Sequence, residues 1–95
     1  MTALQGNEVV VVAPDGQIDL HNAGALREAI LTGFESDAPG VVLDLAGVEF
    51  LDSAGIGILV GAYRRALAAG KTFRVCGAGQ RVQRVLDLSG LPSAG

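Results

Sequence analysis

Asp52-Ser53 stands at the head of a mostly apolar run, Ala54 to Tyr63, that carries Gly55, Gly57 and Gly61. A carboxylate beside a hydroxyl at a helix start supports two kinds of chemistry. Either side chain can accept from the free N–H groups of the first turn and serve as an N-cap. Alternatively, Ser53 is a phosphate acceptor, because an exposed helix amino end offers free N–H groups and the positive end of the helix dipole to an anion. Each glycine costs a helix interior about 1 kcal/mol relative to alanine. Gly55 and Gly57 offset that cost if they leave room beside the hydroxyl for another protein's backbone or an ATP phosphate.

Other candidates are weaker. His21 is the only histidine and Cys76 the only thiol, so neither a Cys/His metal site nor a Cys-His pair has enough nearby members. Cys76 ends an apolar strand and reads as a buried, inert thiol. His21 precedes a helix and has no partner that would make it a base. "GAGQR", Gly77 to Arg81, follows a strand and opens a helix but lacks the third glycine and the lysine of a phosphate loop, so it reads as a strand-to-helix turn. Asp15, Asp19, Asp44 and Asp52 are dispersed. Asp19 and Asp52 both follow strands at the end where helices begin, which places them near each other. No set of residues nominates a cofactor, a metal or a catalytic centre.

The elements that position Ser53 are legible in the pattern. Glu8 to Ala13 is β-branched and short, a strand, and "PDG", Pro14 to Gly16, supplies turn chemistry. Gln17-Ile18-Asp19 is expected to return antiparallel, making an amino-terminal hairpin. From Asn22, a candidate N-cap, Ala23, Leu26, Ile30 and Phe34 recur at helical spacing, and that helix should end near Asp37. Val41 to Leu45 reads as a central strand covered on both faces. In the second helix, Ile56, Leu59, Val60, Tyr63 and Leu67 should lie on the sheet. Ala54, Gly57, Gly61, Arg64 and Ala68 then share a neighbouring, nearly bare face, with Ile58 exposed off the core stripe. Gly70 is a left-handed C-cap candidate, Thr72 to Cys76 a further strand, and Val82, Val85 and Leu86 mark a third helix with Arg81 and Arg84 facing water. The tail from Ser89 reads as irregular.

Composition bounds the function. With 95 residues, 49 % apolar and 18 % charged, the chain is expected to fold around one core. A net charge of −3 and a single lysine, Lys71, argue against binding a nucleic-acid backbone. No apolar stretch approaches the roughly 18 residues of a membrane span. The first residues lack the basic region of a signal peptide, and one cysteine allows no internal disulfide, so a cytoplasmic location is expected.

With these residues in place, the sequence resembles the STAS family, and within it the bacterial anti-sigma factor antagonists. The resemblance is carried by "GQID", Gly16 to Asp19, by "VVLDLAGVEFLDSAGIGILVGAYRRALAAGK", Val41 to Lys71, and by "RVCGAGQRVQRVLDLSGL", Arg74 to Leu91. It implies an α/β STAS fold, a mixed sheet of four or five strands with an amino-terminal antiparallel hairpin and packed helices. It further implies that Ser53 is phosphorylated by an anti-sigma factor with serine-kinase activity, and that the unphosphorylated protein binds that partner and frees a sigma factor. A phosphatase acting on phospho-Ser53 would reset the switch. Asp19, Asp52, Ser53, Gly55, Gly57 and Ile58 are the expected partner-binding residues, in a protein that is no enzyme and has no cofactor. A homodimer is a further expected association.

Two departures stand out. Ala54 replaces a second hydroxyl residue that many members carry, leaving Ser53 as the sole nearby acceptor. The chain ends at Gly95, where many relatives continue into another strand and helix. Residues 1–95 are therefore expected to form one STAS domain without that ending, its sheet edge bare or completed by a partner or second copy. The alternative reading keeps the fold: a STAS subunit of a lipid-transport or stressosome-like assembly, with the serine a structural cap or docking point.

Overall fold

Two stretches of chain, residues 10–18 and 40–51, run side by side in parallel, and each bends once. In the computed structural model, which describes residues 9–90, β1 (Val10–Val12) lies against β3 (Gly40–Asp44) with Val12 opposite Leu43. Past the bend, β2 (Asp15–Ile18) lies against β4 (Gly47–Leu51) with Ile18 opposite Leu51. Pro14, at the bend, has no N–H to give a ladder. At the same point the strands approach closely: a Cβ on Gly47 would sit 3.2 Å from Asp15 Cβ and 3.3 Å from the Pro14 carbonyl oxygen. With β5 (Thr72–Cys76), the strands form a three-stranded sheet of order β1-β3-β5 and a two-stranded sheet β2-β4, every described pairing being parallel.

This corrects two expectations. "PDG" does not reverse the chain into an antiparallel hairpin. It bends the strand onward, with Gly16 at φ +73° and a register shift between Gly16 and Gln17. Nor do the strands form one mixed sheet: five strands divide between two sheets, and β4 occupies residues to which the sequence pattern assigned no element. Glu8 and residues 91–95 lie outside the described residues.

Helix α1 (Ala23–Glu35) buries Ala23, Leu26, Ile30 and Phe34 as their spacing requires, and also Gly33. A Cβ on Gly33 would approach Val41 Cγ2 to 2.7 Å, so glycine lets the helix lie close on β3. The Lys71 ammonium donates to the Phe34 and Ser36 carbonyls, 2.8 and 2.6 Å away, and closes the end of α1. β3 is central, with Gly40, Val41 and Leu43 buried on it; Val42 and Asp44 are half-buried, so its second face is not covered as expected.

Helix α2 (Ser53–Ala69) is turned from the expected register. Its buried stripe is Gly55, Leu59, Ala62 and Ala66, while Ile56, Val60 and Tyr63 are half-buried and Leu67 is 84 % exposed. Apart from Leu59, the inward residues are small, because α2 lies against α1, β4 and β5 at once. Tyr63 reaches over the edge instead, packing edge-to-face on Phe73 with ring centroids 4.9 Å apart. Gly70 ends α2 in the left-handed conformation, φ +68°, as its position suggested. Helix α3 (Gln80–Leu88) packs against β4, buries Val82 and Leu86, leaves Val85 half-buried and exposes Arg81 and Arg84. No helix of the described residues is long and apolar enough to cross a membrane.

Candidate functional site

The parallel pair β2-β4 delivers two helix starts to one edge. Ile18 and Leu51 are opposite each other in the ladder, so Asp19 and Asp52, the next residues, emerge side by side. The Asp52 N–H donates to the Ile18 carbonyl at 3.1 Å and ties the two exits together. From Asp52 the chain enters α2; from Asp19 it turns through Leu20-His21-Asn22 into α1. Ligand sites of parallel sheets form at such carboxyl ends.

Asp52 is the N-cap. Its backbone is extended, φ −93° and ψ −172°, and one carboxylate oxygen accepts from the N–H groups of Ala54 at 2.9 Å and Gly55 at 3.2 Å. An ionised acceptor in the first turn is favoured by the helix dipole as well as by these bonds. Ser53 is the first residue of the helix, is exposed, and takes no part in the cap. The hydroxyls of Ser36 and Ser89, by contrast, donate to the Gly33 and Val85 carbonyls at 2.6 and 2.9 Å. Of the two readings of the Asp52-Ser53 pair, the aspartate is therefore the cap, and the serine is left at the surface.

The Asp19 turn is held by its own side chains. Asp19 accepts from the His21 N–H at 2.9 Å, and the Asn22 amide accepts from the Asp19 N–H at 2.8 Å while donating to the Gln17 carbonyl at 2.6 Å. Asn22 occupies the N-cap position of α1 but makes no side-chain cap, its amide being engaged in this turn. His21 is exposed. Leu20, 78 % exposed, stands between Asp19 and His21 as an apolar side chain at the same edge. Sequence reasoning passed over Leu20; its signal was an aliphatic residue inside a polar turn.

The glycines separate. Gly55 is buried, and a Cβ there would meet Leu51 Cδ1 at 2.4 Å and Ile18 Cγ2 at 3.0 Å. The expectation that Gly55 leaves open space beside Ser53 is not met: it faces the core and lets α2 start close against β2 and β4. Gly57 is exposed, and a Cβ there would meet nothing within 4 Å. Ile58 is half-buried rather than exposed. It packs against the core and lines a cleft between α1 and α2 with Arg27, Ile30, Leu31, Gly57 and Arg65.

Elsewhere the chemistry is quiet. Cys76 is half-buried at the end of β5; burial pushes its thiol pKa up, and the neighbouring Asp44 carboxylate pushes it further. Gly77, φ +73°, makes the turn into α3 and lies against Asp44, as read for a strand-to-helix connection. Among the described residues, no group of three or more His, Cys, Asp or Glu side chains is placed to hold a metal ion.

Comparison with known proteins agrees with this geometry. The STAS domain family matches residues 1–94. The anti-sigma-F factor antagonist RsfB of Mycobacterium tuberculosis is 35 % identical over 91 residues, covering 96 % of this chain and 74 % of that protein. The anti-sigma F factor antagonist of Paenibacillus polymyxa is 31 % identical over 84 residues, or 87 % of this chain and 72 % of its own length. A crystal structure of an anti-sigma factor antagonist from Mycobacterium paratuberculosis superposes with a TM-score of 0.82 at 35 % identity, covering 94 % of this chain and 75 % of that one. A match along almost the whole length, on a fold of parallel strands that brings Asp19, Asp52 and Ser53 to one edge, has one conclusion: the chain belongs to the STAS domain family.

Proposed function

We propose that this chain is an anti-sigma factor antagonist, a single STAS domain whose binding to an anti-sigma factor is switched by phosphorylation of Ser53. The observation that carries the reading is the division of labour at the head of α2. Because Asp52 supplies the cap, the Ser53 hydroxyl is exposed and free of it. A partner with serine-kinase activity transfers the γ-phosphoryl group of ATP to the Ser53 Oγ, which gives up its proton, and ADP leaves; a phosphatase reverses the state by hydrolysis. The similarity to proteins named as anti-sigma factor antagonists supports the partner class.

The switch works through the interface rather than the fold. Phosphate adds a charge of about −1.5 to −2. Asp52 already takes the Ala54 and Gly55 N–H groups, so the phosphate is not drawn into the cap and stays presented at the surface. Repulsion from Asp52 and Asp19 across water is only about 1 kcal/mol per charge pair at contact distance. A docked partner would have to strip water from this anion beside two carboxylates, a penalty of about 3 kcal/mol or roughly 100-fold in affinity. Asp19, Leu20, Asp52, Ser53, Gly57 and Ile58 form the proposed contact surface; Gly55, being buried, acts beneath it. The protein acts by binding, in the cytoplasm, and catalyses nothing itself.

The test is to incubate the purified protein with its cognate anti-sigma factor and ATP and to locate phosphate by mass spectrometry. Phosphate on Ser53, with none incorporated by Ser53→Ala, is the expected result. Equal labelling of Ser53→Ala would exclude the switch. A stressosome-like or transport subunit using the serine only for docking would bind its assembly without acquiring phosphate.

A further inference from the structure

Gly57 and Gly61 have no intramolecular reason to be glycine. Neither has a positive φ, and a Cβ on either would meet nothing within 4 Å. Each nevertheless weakens the interior of α2, by about 1 kcal/mol relative to alanine. Both open onto the cleft of about 240 Å³ between α1 and α2, whose floor and sides are Ile30, Leu31, Ile58 and Ala62. Arg27 on α1 and Arg65 on α2 flank it. Both arginines are exposed, and neither forms an ion pair with a described residue. In a chain of net charge −3, two unpaired cations beside one apolar cleft form a local positive site.

The cleft continues the switch surface. Ser53, Gly57, Gly61 and Arg65 are spaced by four along α2 and form one row on its surface, about 18 Å long at 1.5 Å per residue. A segment lying along this row would touch Ser53 at one end and Arg65 at the other. The volume lies below the range of about 300 to 1,000 Å³ typical of small-molecule sites, whereas an open trough two to three turns long suits a polypeptide.

We propose that the cleft between α1 and α2 receives an acidic, apolar segment of the same anti-sigma factor, and so rests on the reading above. One aliphatic side chain lies over Gly57 and Gly61 against Ile58 and Leu31, and carboxylates pair with Arg27 and Arg65. The cations steer the partner and set the register of docking; Ser53 reports its phosphorylation state at the far end of the same row.

The experiment is titration calorimetry with the purified cognate anti-sigma factor against wild type, R27E/R65E, Gly61→Leu and Ser53→Glu, each checked for a cooperative melting transition no lower than a few degrees below that of wild type. Reversing both charges should weaken binding by about 30-fold or more, and the deficit should shrink in 1 M salt, where the screening length is about 3 Å. Gly61→Leu should weaken binding by filling the trough. Carbodiimide coupling of the R27K/R65K protein in the complex should join a partner carboxylate to position 27 or 65. Wild-type affinity for R27E/R65E, with Ser53→Glu binding lost, overturns the cleft and leaves the switch standing. Wild-type affinity for Ser53→Glu, with R27E/R65E binding lost, overturns the switch and leaves the cleft. If both variants bind as wild type, both readings fail.

Discussion

Gly55 and Gly57 are two residues apart on one helix, and alanine at the two positions should move stability in opposite directions. At Gly57 the new methyl enters open space, so only the backbone term changes, and the substitution should stabilise by about 0.5 to 1 kcal/mol. At Gly55 the same gain is opposed by sterics. The added carbon falls 2.4 Å from Leu51 Cδ1, and both Leu51 Cγ and Ile18 Cγ2 lie at 3.0 Å. Leu51 and Ile18 are themselves 1 % and 3 % exposed, so neither can swing away. Overpacking of this kind costs about 1 to 3 kcal/mol, leaving Gly55→Ala destabilised by up to about 2 kcal/mol. For a domain of this size 1 kcal/mol shifts the midpoint by roughly 4 to 8 °C. Thermal and urea unfolding followed by helical circular dichroism should therefore place Gly57→Ala above wild type and Gly55→Ala below it. Equal shifts, or a more stable Gly55→Ala, would refute the assignment of Gly55 to the core.

Asp52→Ala should cost about 0.5 to 2 kcal/mol in urea unfolding because it removes the α2 cap, whereas Ser53→Ala should leave the midpoint nearly unchanged; the reverse order would make Ser53 the cap. Leu59→Ala, at a fully buried position, should cost about 2 to 5 kcal/mol, and a loss below about 1 kcal/mol would contradict the register of α2. The Cys76 thiol pKa is raised by burial and by Asp44, so alkylation near neutral pH should be slower than for a free thiol, and Asp44→Asn should speed it. With the folded pKa above the unfolded one, the contribution to stability is full below the unfolded value, about 8.5, and is lost as pH rises through the folded value. A thiol that reacts as fast as free cysteine in the folded protein would contradict the burial.

The parts legible in the sequence were those with local causes. Helical spacing of Leu26, Ile30 and Phe34 located α1, a stretch of Val41 to Leu45 located the central strand, and Gly70 located the end of α2. The hairpin was misread because turn chemistry at Pro14 to Gly16 says that the chain changes direction, not by how much. Its pairing with β4 is set by contacts about thirty residues away. β4 itself hid behind a pattern in which only Val48 and Leu51 are buried. The rotation of α2 was missed because periodicity weights bulky residues, whereas this helix, wedged between three neighbours, buries Gly55, Ala62 and Ala66 beside Leu59. At the site, Asp19, Asp52 and Ser53 were legible from residue type and strand ends. Leu20 was passed over although its aliphatic side chain in a polar turn was a signal; Arg27 and Arg65 were not legible, since their grouping exists only once α1 and α2 lie side by side.

One phosphate on Ser53 should dismantle the proposed interface without disturbing the fold. This is tested most directly by titrating the cognate anti-sigma factor with unphosphorylated protein and with protein carrying phosphate on Ser53 alone, confirmed by mass spectrometry, and by comparing the melting of both forms. Binding should be roughly 100-fold weaker for the phosphorylated form, with midpoints within about 8 °C of each other, the most that about 0.3 to 1 kcal/mol can produce. Equal affinities for the two forms, or a phosphorylated protein that no longer folds, would contradict that expectation.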